Sequence, residues 1–279
     1  MKTFKTAFLL TALTLLLMAI GAAFGGRGGM TLALGVAIVM NGVAYFFSDK
    51  IALRSAGAQP ISREQAPRLY AVMERLAAKA NIPVPKLFMI PQPAPNAFAT
   101  GRNPSHASVA VTQGLMELMN DDELEGVIAH ELSHVRNYDI LTSSIAATLA
   151  GAITWVARMG FWFGGGGDRR RGGNGLVGLL MLILAPLGAL LLQLGISRQR
   201  EYQADASGAR MVGHPYGLIS ALEKLGAYNK RIPMDVPPTT SALMIVAPLS
   251  GGEMFSRLFS THPPLADRIA ELRNMTVTR

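Results

Sequence analysis

The feature that most constrains this chain is a pair of long segments without charged side chains near its start. Thr6–Gly26 and Gly28–Ser48 are both uncharged and rich in apolar residues. As helices, about 20 residues each would reach roughly 30 Å, the thickness of a bilayer's hydrocarbon core. The connection Gly25–Gly29 is too short for anything but a tight turn. The sequence therefore predicts an N-terminal transmembrane hairpin over residues 1–49.

The basic residues around these segments predict their orientation. Lys2 and Lys5 precede the first segment and Lys50 and Arg54 follow the second, whereas only Arg27 lies at the turn. The positive-inside rule then places both outer flanks in the cytoplasm. A cleaved signal peptide is the alternative for the first segment, since it too begins with a basic stretch. The second apolar segment, which follows almost at once, favours the hairpin.

The composition agrees with a membrane protein. Half of the 279 residues are hydrophobic and only 16% are charged, against about 25% in typical globular chains. The net charge of +8 could suggest nucleic acid, but much of the excess flanks apolar segments. The chain also lacks a basic face interleaved with aromatic residues, so we expect no nucleic-acid partner. The absence of cysteine excludes disulfides and thiolate-bound zinc.

A second hydrophobic hairpin is predicted over residues 140–197. Ile140–Ala157 is apolar and stops at Arg158, and Gly172–Ser197 is uncharged. The glycine-rich loop between them contains Arg169–Arg171, which would face outward, against the usual charge bias, if both segments crossed the membrane. The hairpin therefore either spans the bilayer or is only partly embedded.

The polar regions, residues 50–139 and 198–279, are expected to form a cytoplasmic catalytic unit. Ser62 and Gln65 have the spacing of a capping box for a helix that continues to about Ala80. Short strands are predicted at Leu87–Ile90 and Ala107–Thr112. The free edge of Ala107–Val111 could align an extended peptide by main-chain hydrogen bonds.

A His-Glu-x-x-His motif lies in the next predicted helix, which a second capping box opens at Asn120 and Glu123. His130 and His134, one turn apart, project from the same face and can bind one metal ion. Glu131 lies beside them, where its carboxylate can take a proton from water that zinc activates for attack on a carbonyl. The alternative is a surface helix with two histidines that have ordinary partners.

A catalytic zinc ion needs a third protein ligand, and Glu201 is the candidate. Asp205 lies one turn further on and could hold the far nitrogen of a ligand histidine. Alone, this pair would suggest a solvated helix face paired to Arg198 or Arg200. However, His134 comes just before the second hydrophobic hairpin and Glu201 just after it. A chain that runs out and back returns to the same side, so the ligands of one zinc ion per chain can meet there.

Three other histidines have less informative surroundings. His262, followed by two prolines, could steady an oxyanion or contact the metal, although a loop histidine beside prolines is more often ordinary. His106 and His214 have no partner at ligand spacing, so we expect both to be structural or exposed.

Taken together, these motifs resemble the HtpX family of bacterial heat-shock membrane metalloproteases, which is related to the zinc proteases that process CAAX proteins. The resemblance covers nearly the whole chain, and its motifs occur in the family's order. They are Pro95–Gly101, Val111–Thr112, Ala129–His134, Asn137–Asp139, Arg200–Asp205 and Thr261–Pro264.

The resemblance implies zinc at His130, His134 and Glu201, with Glu131 as the catalytic carboxylate and a functional histidine at His262. It further implies a bacterial inner-membrane protease, active on the cytoplasmic side, that cleaves misfolded or damaged membrane proteins. We therefore expect a mainly α integral membrane protein with two hydrophobic hairpins and a zincin-like catalytic unit of the gluzincin type, built from helices and a small β-sheet. Two alternatives are a processing protease for one partner and a non-catalytic scaffold that binds metal for folding. The intact Glu131 speaks against the scaffold.

Overall fold

A computed structural model describes residues 4–164, 197–229, 231–232, 234, 236–246 and 263–276. These residues are mainly helical and include one small sheet. Three sequence predictions lie outside the described residues: the segment 172–196, the Arg169–Arg171 loop and His262.

The chain begins with α1 (Phe4–Ser55), which consists of two helical legs joined at Gly25 and Gly26. Gly26 has a φ of 55° and a ψ of −141°, a conformation that glycine adopts easily because it has no Cβ. The legs pack closely beside this break, since a Cβ on Gly21 would lie 2.4 Å from the carbonyl oxygen of Gly29. The break lies within the predicted turn, and both legs are long and apolar enough to cross a membrane.

The sheet has four strands in the order β1-β2-β4-β3. They are β1 (Gln59–Pro60), β2 (Lys86–Ile90), β3 (Ala97–Gly101) and β4 (Ala107–Thr112). Strands β2 and β4 are parallel, and the other two pairs are antiparallel. The predicted strands correspond to β2 and β4.

The prediction that Ala107–Val111 has a free edge is wrong, because β4 lies between β2 and β3. Instead β3 is the terminal strand on that side. All five of its residues are buried, so it lacks the alternation of polar and apolar residues that identifies a half-buried strand. Its sequence therefore gave no sign of a strand.

The helix α2 (Pro67–Ala80) ends at Asn81, which adopts the left-handed conformation. The capping box predicted at Ser62 and Gln65 is wrong. Only one of its two hydrogen bonds forms, from the Ser62 N–H to Gln65 Oε1 at 2.8 Å, and the helix begins five residues later. Proline disfavours a helical conformation in the residue before it, so Ala66 lies outside the helical region, with a φ of −139° and a ψ of 59°, and Pro67 opens the helix instead.

The second capping box is confirmed at the start of α4 (Asp121–Arg136), which follows the short α3 (Gln113–Leu118). Asn120 and Glu123 exchange two hydrogen bonds of 2.9 Å each. The next helix, α5 (Asp139–Gly164), extends beyond the predicted apolar segment Ile140–Ala157. A single arginine keeps good helix propensity, and the glycine-rich run comes only after Phe163. The remaining described helices are α6 (Arg198–Val212), α7 (Tyr216–Asn229), α8 (Pro238–Ser241) and α9 (Leu265–Arg273).

Helix α4 is the centre of the polar part of the fold. Its side chains pack against α2 and the sheet and also against α6 and α7. Helix α5 instead packs on α1, where Leu141, Ile145 and Leu149 form a cluster with Leu9 and Leu13. The carboxyl end of α4 therefore lies where the polar unit joins the apolar hairpin.

Candidate active site

Helix α4 brings the two histidines of the motif together on one face, as their spacing predicts. The Nε2 atoms of His130 and His134 are 3.2 Å apart. His130 is buried and His134 is partly buried. The Nε2 nitrogens thus point into one small space, which excludes the alternative of two histidines on an open surface helix.

Helix α6 places Glu201 against this pair. Its two carboxylate oxygens lie 3.7 Å from His130 Nε2 and 3.4 Å from His134 Nε2. Gly208 allows the close contact between α6 and α4, because a Cβ there would lie 3.0 Å from the backbone nitrogen of His130. One ligand atom from each of the three residues falls within 4.8 Å of the other two. Two imidazoles and one carboxylate, converging in this way, fit a zinc ion with a coordination position left for water or substrate.

Each histidine has a carboxylate at its other ring nitrogen. Asp205 Oδ1 lies 2.8 Å from His130 Nδ1, and Asp139 Oδ2 lies 3.3 Å from His134 Nδ1. Such contacts orient an imidazole and fix which nitrogen carries the proton. The sequence indicated Asp205 for this position. It did not indicate Asp139, although Asn137–Asp139 is one of the family motifs.

Each of these carboxylates is in turn paired with an arginine. Arg268, which is completely buried, donates to both oxygens of Asp205, from Nε at 2.8 Å and from Nη2 at 2.6 Å. Arg200 Nη1 lies 3.3 Å from Asp139 Oδ1. The alternative in which Arg200 pairs with Glu201 or Asp205 on a solvated face is wrong, because both carboxylates are buried.

Arg268 was not among the residues predicted from the sequence. Its position in α9 resembles that of any arginine on a short amphipathic helix. The useful signal was its place six residues after His262, close to the last family motif.

The charges around the site shift its pKa values. Burial alone would raise the pKa of Asp205, but Arg268 and His130 together outweigh burial and hold this pKa below its ordinary value. Burial favours the neutral form of His134, but the carboxylates of Glu201, Asp139 and Glu131 together outweigh it and raise the pKa of His134 to about 9. The nitrogens of His134 therefore lie in a strongly negative environment, which attracts either a proton or a metal cation.

Glu131 lies beside the ligands, and almost none of its surface is exposed. Burial and, to a lesser extent, the negative charge of Glu201 raise the pKa of its carboxyl group. Together they outweigh the opposing influence of the two histidines and of a backbone hydrogen bond from Ala99. A buried carboxylate with a raised pKa is a stronger base than an exposed one. A carboxylate with this burial and raised pKa can accept a proton beside the candidate metal site.

The site opens into a pocket with β3 on one wall. Ala99 lines it, together with Ser143 of α5 and the segment 242–245 after α8. The carbonyl of Ala97 points away from β4 and accepts a hydrogen bond from the Ile245 N–H at 2.9 Å. Alternate residues of an antiparallel strand direct their backbone groups to the same side, so Ala99 also faces away from β4, toward Glu131.

The two remaining described histidines lie outside this pocket, as the sequence suggested. His106 is exposed, with its Nδ1 3.0 Å from Asn103 Oδ1. His214 is half-buried and stacks on the ring of Tyr216.

The fold and the site together define a zincin-type metallopeptidase. An active-site helix carries two histidines and a glutamate, a second helix adds a third ligand, and a strand borders the cleft. The chain belongs to peptidase family M48, whose model matches residues 62–276, and within it to the HtpX group of proteases.

Similar proteins agree with this assignment. A protease HtpX homolog of Desulfatibacillum aliphaticivorans is 55% identical over 273 residues, which cover 96% of this chain and 88% of that one. One from Salinibacter ruber is 51% identical, covering 99% and 98%. The crystal structure of S. mikatae Ste24p shares the fold, with a TM-score of 0.53 and 20% identity over 97% of this chain and 64% of that one.

Proposed function

We propose that this metallopeptidase is a zinc-dependent endopeptidase of the bacterial inner membrane that cleaves misfolded or damaged membrane proteins on the cytoplasmic side. The observation that carries the proposal is the convergence of His130, His134 and Glu201 within 4.8 Å beside the buried Glu131. The apolar legs of α1 support the membrane location, and the basic flanks support the orientation.

In this proposal His130, His134 and Glu201 hold one zinc ion per chain. A zinc ion bound there supplies Lewis acidity, which polarises a carbonyl group and acidifies water. Glu131 takes the proton from the attacking water and can later deliver it to the leaving amine. Asp205 holds the Nδ1 proton of His130 and thereby keeps Nε2 free for the metal.

The substrate is proposed to bind as an extended strand along β3. The outward-facing backbone of Ala99 borders the pocket and lies beside Glu131. Main-chain hydrogen bonds to a sheet edge do not depend on side chains, so they suit a protease that accepts many sequences. At Ala97 this edge is already taken by Ile245, and the Ala99 N–H donates to Glu131. The substrate is therefore proposed to pair with the edge from the Ala99 carbonyl onward.

His262 is a further candidate for the catalytic machinery on the family resemblance alone. A processing protease for a single partner stays the second candidate, because the same site would serve either purpose. The identity of the cleavage products distinguishes the two. Many unrelated sites indicate quality control, and a single site indicates processing.

The first experiment compares wild type with Glu131→Gln, both purified in detergent. Cleavage of an unfolded protein and zinc content are measured on the same samples. We expect zinc in both proteins and cleavage by wild type alone, because the amide cannot accept the proton while the three ligands are unchanged. Full activity of Glu131→Gln would refute the mechanism. Zinc in both proteins with cleavage by neither would favour the scaffold or the dedicated processing protease.

A further inference from the structure

Two hydroxyl contacts fix the depth of the sheet relative to the apolar hairpin. Thr142 near the start of α5 meets Thr6 of the first leg, with their Oγ1 atoms 2.9 Å apart. Two residues further along α5, Ser144 Oγ lies 2.7 Å from Thr100 Oγ1 in β3. Because a helix rises 1.5 Å per residue, the end of β3 lies at about the level of Thr6, where the first apolar leg begins.

The second leg of α1 reaches the same level at a cluster of aromatic residues. Asn41 Nδ2 donates to Thr14 Oγ1 at 2.9 Å and lies 3.4 Å from the Leu10 carbonyl. The legs are antiparallel, so the partner of Thr6 lies about one turn beyond Asn41, at Tyr45–Phe47. These three aromatic side chains are between 38% and 56% exposed. Tyrosine and tryptophan at the end of an apolar helix are typical of the membrane–water interface, which fits Tyr45, and the two exposed Phe rings add apolar surface beside it.

Two cations from separate parts of the chain meet these aromatic side chains. Lys50 Nζ lies 5.4 Å from the centre of the Phe47 ring. Arg102, in the loop between β3 and β4, lies 5.9 Å from the centre of the Phe46 ring. The acidic Asp49 is adjacent in sequence, but Arg54 follows one turn later, so the local charge is positive. We call Phe46, Phe47, Lys50 and Arg102 the interfacial surface.

We propose that the loop of residues 102–106 rests in the headgroup layer of the membrane, where the interfacial surface binds anionic lipid headgroups through Arg102. The proposal rests on the membrane location of the hairpin proposed above. Its occupant is lipid because an aromatic layer flanked by cations at the end of an apolar span complements a negatively charged bilayer surface.

The position of this loop has a consequence for substrate selection. It begins at the end of β3, which is the strand that borders the catalytic pocket. If β3 ends at the headgroup layer, a substrate strand paired with it enters directly from the membrane surface. We infer that the preferred substrates are peptide segments immediately adjacent to a membrane span.

The absence of cysteine makes the depth of the loop directly measurable, because a single introduced cysteine can carry a spin label. Ser105→Cys labels the loop, and Ser62→Cys, also exposed, is the control. Ser62 follows β1 at the opposite edge of the sheet, three strand spacings or roughly 14 Å away. Both labelled proteins are placed in lipid nanodiscs, and collisions with oxygen and with a water-soluble nickel chelate are compared.

We expect the label at position 105 to be shielded from nickel and accessible to oxygen, and the label at position 62 to be accessible to nickel. Equal nickel accessibility at both positions would overturn the proposal. Ile38 lies on the outer face of the second leg and is 63% exposed. A label at Ile38→Cys therefore tests the membrane location separately from the loop contact. A label at 38 in lipid with a label at 105 in water rejects the loop contact alone, whereas a label at 38 in water rejects the membrane location itself.

The role of Arg102 is tested by changing the lipid charge. The shielding at position 105 should be greater in nanodiscs with anionic phosphatidylglycerol than in zwitterionic ones, and Arg102→Gln should abolish this difference. Arg63→Gln is the matched control, because Arg63 also lies over an aromatic ring, 5.6 Å from the centre of Tyr70, but on the far edge of the sheet. If Arg102→Gln preserves the lipid dependence as Arg63→Gln does, Arg102 does not bind headgroups.

Discussion

Replacing Arg268 with leucine tests how strongly the buried Arg268–Asp205 pair stabilises the protein. Arg268 is fully buried and makes two short hydrogen bonds to Asp205. Without Arg268, the buried carboxylate of Asp205 loses its charged partner and keeps its contact with His130 Nδ1. Breaking a buried ion pair from one side costs about 3–5 kcal/mol. At about 2–4 °C per kcal/mol for a chain of this size, the midpoint of thermal unfolding should fall by roughly 6–20 °C.

The measurement is thermal unfolding of the detergent-purified protein, followed by circular dichroism. Arg273→Leu is the matched control, because Arg273 lies on the same helix and pairs with Glu223 while 62% of its side chain is exposed. Exposed pairs contribute at most about 1 kcal/mol, so its midpoint should change by less than about 4 °C. Equal changes in the two variants would refute the reasoning. The double variant Asp205→Asn/Arg268→Leu should lose less than the sum of the single variants, since a neutral amide needs no counter-charge.

Three further predictions concern the metal site and the start of α4. Asp139→Asn should weaken zinc binding about 10–100-fold, because it removes the carboxylate that orients His134. Competition with a chromogenic chelator measures the affinity. An unchanged affinity would exclude a role of Asp139 in orienting His134. Zinc should be released as the pH falls, because protons compete for the nitrogens of His134, whose pKa without metal is raised to about 9. Equilibrium dialysis at graded pH measures the release. Equal zinc retention at pH 5 and pH 8 would contradict the prediction. Burial would raise the pKa of Glu123, but hydrogen bonds from Lys224 and other groups lower it below its ordinary value of 4.5. The ionised Glu123 therefore stabilises the folded protein above pH 4.5, and this stabilisation is lost as the pH falls through the lower pKa of the folded state. Urea unfolding should therefore show a smaller loss of stability on acidification for Glu123→Gln than for wild type; an identical loss would mean that Glu123 does not contribute.

The parts of this structure that the sequence predicted well depend on short-range patterns. The capping box at Asn120 and the spacing of His130 and His134 are decided within one or two helical turns. The end of α2 at Ala80 is local in the same sense. Such features are encoded by neighbouring residues and survive in any tertiary context that keeps the helix.

The features that the sequence did not reveal depend on contacts between distant segments. Strand order is one example, since nothing within Ala107–Val111 shows that β3 covers one of its edges. Arg268 is another, because its partner Asp205 lies 63 residues earlier. Glu201 was found despite its distance from the histidines, because the two apolar segments between them restricted where the chain could return.

The division of the site between the two sides of residues 140–197 has a consequence during synthesis. A ribosome that has just completed α4 has made both histidines and Glu131, but it has still to make about 70 residues before Glu201. At about 5–20 residues per second this takes roughly 3–14 s, and Arg268 takes about as long again. During that interval the nascent chain carries Glu131 without the full set of candidate metal ligands. The three candidate metal ligands can therefore come together only after the intervening segments have been made.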